Sequence, residues 1–349
     1  MKKMWVAVML VMLAILIYVL HIYFFIEPDK DDMSNEKLMV EQGEKEAENS
    51  PNSSIASEVE STQALESVTA QSLLNPQTDA ITESITADEP VYATGMFSWE
   101  NDAFEPEKLS SFYLAISLLD IDEVYQDFSD ITVYDESAAD FARELSLLEV
   151  DLYLLTGNSE WVYDGSGDPM ISEIERATAF RETWGDEALT GIVFDIEPYG
   201  SDRWKDGDRI ELLENFISGM KKTYNAARDE GLRVILCVPT WYDKHYEEYF
   251  KQLVLYCDEI SVMNYVREDE YVNMVGEVEY ARALDKEITC IFEFQKPGVH
   301  ELTDETTYYH DGIDAAITSF ENLYRDFRYA KLKFAYHYLK PVREILLDR

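Results

Sequence analysis

From Val91 to Arg349 the sequence predicts one (β/α)8 TIM barrel, and three observations predict it. Short apolar runs alternate there with longer stretches of helical period, eight times over a length that suits one large domain. One run, Gly191-Ile192-Val193-Phe194, is apolar on both faces, as in a parallel strand covered by helices, and it ends in acids. No Gly-rich phosphate loop follows the first strand, so an open doubly wound sheet has little support.

The predicted strands are 92–98, 131–135, 151–156, 191–197, 233–239, 259–265, 288–294 and 333–338, each rich in β-branched or aromatic residues. Amphipathic helices fall between them. The clearest carries Leu213, Phe216, Ile217, Met220, Tyr224 and Ala227 on one stripe, and Gly231 stops it. A second carries Tyr246, Tyr249, Phe250, Leu253 and Cys257, and a third Ile313, Ala316, Ile317, Phe320, Leu323 and Phe327.

Two segments precede the barrel. Residues 1–27 read as an uncleaved transmembrane anchor, apolar from Met4 to Ile26 and long enough to cross a bilayer. Tyr18, Tyr23, Phe24 and Phe25 stand where a signal peptide would need small residues for cleavage. Lys2 and Lys3 lie before the run, and Glu27, Asp29, Asp31 and Asp32 after it. The expected topology is a single pass through the cell membrane, with the C-terminal domain on the extracellular side. Residues 28–90 hold no aromatic side chain and are rich in Glu, Ser and Thr, so a disordered acidic linker is expected.

The formal charge of −41, from 70 acidic and 29 basic residues, excludes a nucleic-acid partner, whose phosphates need Lys and Arg. A neutral or partly cationic polymer suits such a surface better. Cys237, Cys257 and Cys290 sit in apolar stretches and read as small buried hydrophobes. None of His21, His245, His300, His310 and His337 pairs with another at ligand spacing, so neither metal nor cofactor is expected.

The chemistry is predicted at the carboxyl ends of the strands, where barrels of this kind carry their sites. Asp195 and Glu197, spaced i, i+2, point to one face, and unequal burial would split their pKa values. The other strand ends bring Trp99 and Glu100; Asp135 and Glu136; Asn158 and Trp161; Tyr199; Trp241, Tyr242 and Asp243. They also bring Asn264 and Tyr265; Glu293 and Gln295; and Tyr336, His337 and Tyr338. Carboxylates interleaved with Trp and Tyr describe a polysaccharide cleft, because aromatic faces stack on sugar rings while acids move protons. Asp135, Glu136 and Asp243 read instead as helix caps or loop solubilisers.

Phe194-Asp195-Ile196-Glu197-Pro198 resembles the end of the fourth-strand signature of family 18 glycoside hydrolases, the chitinase-like enzymes. Ser261-Val262-Met263-Asn264-Tyr265 resembles that family's sixth-strand Met-x-Tyr motif. The likeness covers the barrel only. Thr190 and Val193 replace two earlier acids, Val266 replaces the Asp after the tyrosine, and Tyr336-His337-Tyr338 stands where a Trp is usual. The resemblance implies substrate-assisted hydrolysis of a β-linked N-acetylhexosamine. Glu197 would be the general acid, Asp195 would orient the acetamido group, and Tyr265 would hydrogen-bond its carbonyl.

Other readings stay open at this point. Glu197-Pro198 also resembles the Glu-Pro of the large retaining glycosidase clan, with Glu293 as nucleophile, although Ile196 replaces the usual Asn. The Asp-x-Glu strand resembles family 25 lysozymes too, but Phe97-Ser98-Trp99 supplies no Asp. The loss of the two earlier acids also fits a non-catalytic, glycan-binding barrel.

Overall fold

A computed structural model describes residues 91–100, 106–129, 132–133 and 135–347. Eight parallel strands close into a barrel in sequential order: β1 (Thr94–Ser98), β2 (Glu123–Asp127), β3 (Asp151–Thr156), β4 (Gly191–Phe194), β5 (Arg233–Pro239), β6 (Glu259–Met263), β7 (Glu287–Glu293) and β8 (Leu332–His337). β8 pairs back onto β1 through Gly95 and Ala335. Around them run α1 (Pro106–Leu119), α2 (Glu136–Leu147), α3 (Asp168–Trp184), α4 (Asp202–Asp206), α5 (Arg209–Asp229), α6 (Tyr242–His245), α7 (Glu247–Leu255), α8 (Glu270–Ala283), α9 (Ile313–Phe327) and α10 (Leu339–Leu347).

The predicted second strand is corrected. β2 is Glu123–Asp127, whereas the stretch 131–135 leads into α2, where the Asp135 carboxylate caps the helix by accepting from the Ser137 and Ala138 N–H groups. Local pattern favoured the β-branched stretch, but the barrel instead buries Glu123 and Gln126. The predicted helices stand at α5, α7 and α9, and Gly231 follows α5 at φ +67°.

Strand parity divides the core in two. Phe97, Tyr125, Tyr153, Leu155, Val193, Ile235, Cys237, Ile291 and Ala335 fill the barrel interior. Residues of the other parity, such as Val124, Ile192, Val234 and Phe292, pack outward against the helices. All three cysteines are buried and free, as predicted. Among the described residues no helix is long and apolar enough to cross a membrane. The predicted anchor and linker, residues 1–90, lie outside the described residues.

Candidate active site

β4 sets the centre of the site. Val193 faces the interior, so Asp195 and Glu197 follow it inward at the carboxyl end of the barrel. The ladder runs one residue past β4, with the Asp195 N–H donating to the Thr156 carbonyl at 2.9 Å. That closeness requires Gly157, since a Cβ there would stand 1.7 Å from the Asp195 carbonyl oxygen. Oδ1 of Asp195 is buried with no hydrogen-bond partner, and burial pushes the carboxyl up to about 6 against the lowering pull of His337. After Glu197 a short 3-10 turn, Pro198–Gly200, folds back, and the Tyr199 hydroxyl donates to Oε1 of Glu197 at 2.7 Å. Tyr199 is braced by Trp241 at 5.2 Å and Tyr242 at 6.3 Å between ring centres.

The opposite wall comes from β6, β7, β8 and β1. Burial, and then the negative charges of Glu293, Asp195 and Glu197, push the Tyr265 phenol well above its ordinary range, so it remains a donor. Glu293 is 2 % exposed. Its Oε1 accepts the backbone N–H groups of Phe294 (2.8 Å) and Gln295 (2.7 Å). Its Oε2 contacts Nδ1 of His337 at 2.8 Å and accepts from the Gln295 amide at 3.2 Å. Burial would raise the Glu293 pKa, but His337 and the Gln295 donors bring it below the usual range. The Trp99 indole N–H donates to Nε2 of His337 at 3.2 Å, and the Tyr265 and His337 rings lie 5.7 Å apart.

No family model and no curated protein matches the chain. The chitinase-like resemblance recurs among solved structures. A GH18 chitinase from Pseudoalteromonas aurantia is 10 % identical with a TM-score of 0.49, over 74 % of this chain and 100 % of that one. A chitinase from Chromobacterium violaceum is 13 % identical with a TM-score of 0.44, over 73 % and 98 %. The spore cortex-lytic enzyme SleL of Bacillus megaterium is 12 % identical with a TM-score of 0.45, over 74 % of each chain. At these values the chemistry rests on the side chains alone.

Of the residues predicted for the mouth, Trp99, Asp195, Glu197, Tyr265, Glu293 and His337 share the inward parity, and Tyr338, just past β8, packs against the interior cluster. Two others are corrected. Asn264 is 1 % exposed, donates to the Glu270 carbonyl at 2.9 Å and accepts from Asn273 at 3.2 Å, so it ties β6 to α8 outside the barrel. Tyr336 is 1 % exposed and packs against Phe294 and Phe334. Glu100 follows Trp99 with the opposite parity, and its carbonyl accepts from Gln126. Gln295 serves Glu293, and Asn158 caps the turn Ser159–Val162. A recess of about 350 Å³ between α3 and α5, lined by Ile174, Thr178, Glu182 and Asp229 among others, holds none of these residues.

Sequence reasoning missed the amino end of the barrel. Nζ of Lys333 lies 2.6 Å from Glu123, 2.7 Å from Glu259 and 3.3 Å from Glu287, and Arg233 reaches Glu287 at 2.8 Å. The three carboxylates lie close enough together to hold a metal ion. The Lys333 ammonium already bonds to all three, so this donor set is satisfied without one. The available signal was a lysine inside the apolar run Leu332–Tyr336, since a buried lysine needs carboxylate partners.

Proposed function

We propose that this barrel is a glycoside hydrolase that cleaves an aminosugar-containing polysaccharide with help from the substrate's own acetamido group. One observation carries the reading: Asp195 holds a buried, unpartnered oxygen two residues before Glu197, which Tyr199 steadies from the side. Glu197 gives its proton to the glycosidic oxygen. The acetamido carbonyl attacks the anomeric carbon from the other face while ionised Asp195 accepts the acetamido N–H and offsets the developing positive charge. The Tyr265 phenol donates to the attacking carbonyl. Water, deprotonated by Glu197, then opens the cyclic intermediate and restores the acid. Trp99, Trp241, Tyr199 and Tyr338 offer ring faces for neighbouring sugars. The acidic surface favours a neutral or partly cationic polymer.

The geometry of Glu293 disfavours the rival two-carboxylate mechanism. A carboxylate has about four acceptor positions, and those of Glu293 are taken by two backbone N–H groups, the Gln295 amide and His337. An attacking oxygen would have to lose one of these partners. Glu293 is better suited to positioning His337.

The proposal extends to the cell surface: residues 1–27 anchor the chain in the bilayer, and residues 28–90 space the barrel outside it. Full-length protein incubated with oligomers of N-acetylhexosamine should release shorter products with retained anomeric configuration. Binding without cleavage would instead favour the non-catalytic barrel. Protease added outside intact cells should free a soluble fragment beginning near residue 90; protection until lysis would refute the topology.

A further inference from the structure

Glu277, on α8, is 0 % exposed, and neither of its carboxyl oxygens has a hydrogen-bond partner. Asp243, on α6, faces it. Oδ2 of Asp243 lies 2.1 Å from where a Cβ on Gly276 would stand, so this carboxyl is pressed against the α8 backbone beside Glu277. Oδ1 of Asp243 is also buried without a partner, and the two carboxyls are within hydrogen-bonding reach of each other. Two carboxylates are acceptors only, and both cannot stay ionised at such a distance in a buried site. We propose that Asp243 and Glu277 share one proton at neutral pH, and that this bond pins the α6 turn, with Trp241 and Tyr242, against α8.

The backbone N–H groups of Lys244 and Glu277 pull the pair's pKa values down, but they and the surrounding charges do not offset burial. Lys244 and His245, on the same turn as Asp243, lower its pKa but do not outweigh burial. On α7, Lys251 pairs with Glu247 and Glu248, and Glu247 also accepts from Tyr280 of α8. Arg267, just before α8, is held by Asp311, and Arg325 on α9 is held by Glu321. Burial, and then the charge of Asp243, push Glu277 up to about 9. The folded chain therefore binds this proton more tightly than the unfolded chain, whose glutamates titrate near ~4.3. Its contribution to stability is whole below that value and is lost as pH rises towards about 9.

The experiment is thermal unfolding of the full chain in detergent from pH 5 to 9, read by melting temperature and tryptophan emission. In Glu277→Gln the amide N–H donates to Asp243 at every pH. The variant's advantage over wild type should therefore grow as pH rises, and Asp243→Asn should reduce the alkaline loss in the same direction. Variant profiles parallel to wild type would overturn the proposal. So would a wild-type melting temperature that rises with added calcium at pH 8 and not with acid, because a cation would then lie between the carboxyls.

Discussion

The indole N–H of Trp99 reaches Nε2 of His337 at 3.2 Å, joining the ends of the first and last strands. An indole N–H can only donate, so Nε2 is bare and the imidazole carries its proton on Nδ1, facing Glu293 at 2.8 Å. Burial lowers the His337 pKa, but Glu293, Asp195 and Glu197 outweigh it and hold the imidazole above its ordinary value. A second proton on Nε2 would turn two donors towards each other and break the Trp99 contact.

Glu197→Gln keeps the shape of the side chain and its contact with Tyr199 but removes the proton that titrates. Turnover of an N-acetylhexosamine polymer should fall by at least ~10²-fold. Thermal stability and glycan binding should change little, because a group at the barrel mouth is kept for function. Full activity in this variant would remove Glu197 from the mechanism.

The pH profile should carry the signature of Asp195. Its ionised form is the one that receives the acetamido N–H, and its pKa is about 6. The value of kcat/KM should therefore fall as pH drops through that region. Asp195→Asn should lose this acid limb together with ~10²-fold or more of the rate. An acid limb unchanged in the variant would assign it to another group.

Glu293→Gln separates the two hydrolytic mechanisms. In the substrate-assisted mechanism, the rate should drop less than about tenfold, while stability should fall by about 1–3 kcal/mol as buried donors lose a carboxylate. A mechanism-based fluorosugar should leave Glu293 unlabelled in the wild type. Labelling at Glu293, with activity abolished by the substitution, would establish a covalent glycosyl-enzyme instead.

Much of this fold was legible in the sequence because strand burial is local. Gly191–Phe194 and residues 234–239 are apolar on both faces, and such runs advertise a covered parallel sheet. β2 was not legible. It reads Glu-Val-Tyr-Gln-Asp, and the buried charge of Glu123 is met by Lys333, 210 residues away. The site follows the same division. Asp195, Glu197 and Tyr265 could be found from motif and parity, but reading whole strand ends swept in Asn264 and Tyr336, whose parity turns them outward. The Asp243–Glu277 contact joins two helices, and nothing local in either marks it.

Lys333 gives the sharpest test of the amino end of the barrel. Lys333→Met leaves Glu123 and Glu259 buried without their ammonium, and removing one partner from a buried network costs about 3–5 kcal/mol. Burial already raises Glu259 to about 7 against the lowering pull of Lys333, and without the ammonium it would rise further above its unfolded value. The variant's deficit relative to wild type should thus be smallest below about pH 4, where Glu259 is protonated in both states, and should grow as pH rises. Chemical denaturation at pH 5 and pH 8 should show the larger deficit at pH 8. Adding Glu259→Gln should restore part of it, because one of the stranded charges is then gone and Thr289, which donates to Glu259 at 2.6 Å, can still donate to the amide oxygen. A deficit of the same size at both pH values would mean that Lys333 contributes through packing of its alkyl stem and not through charge.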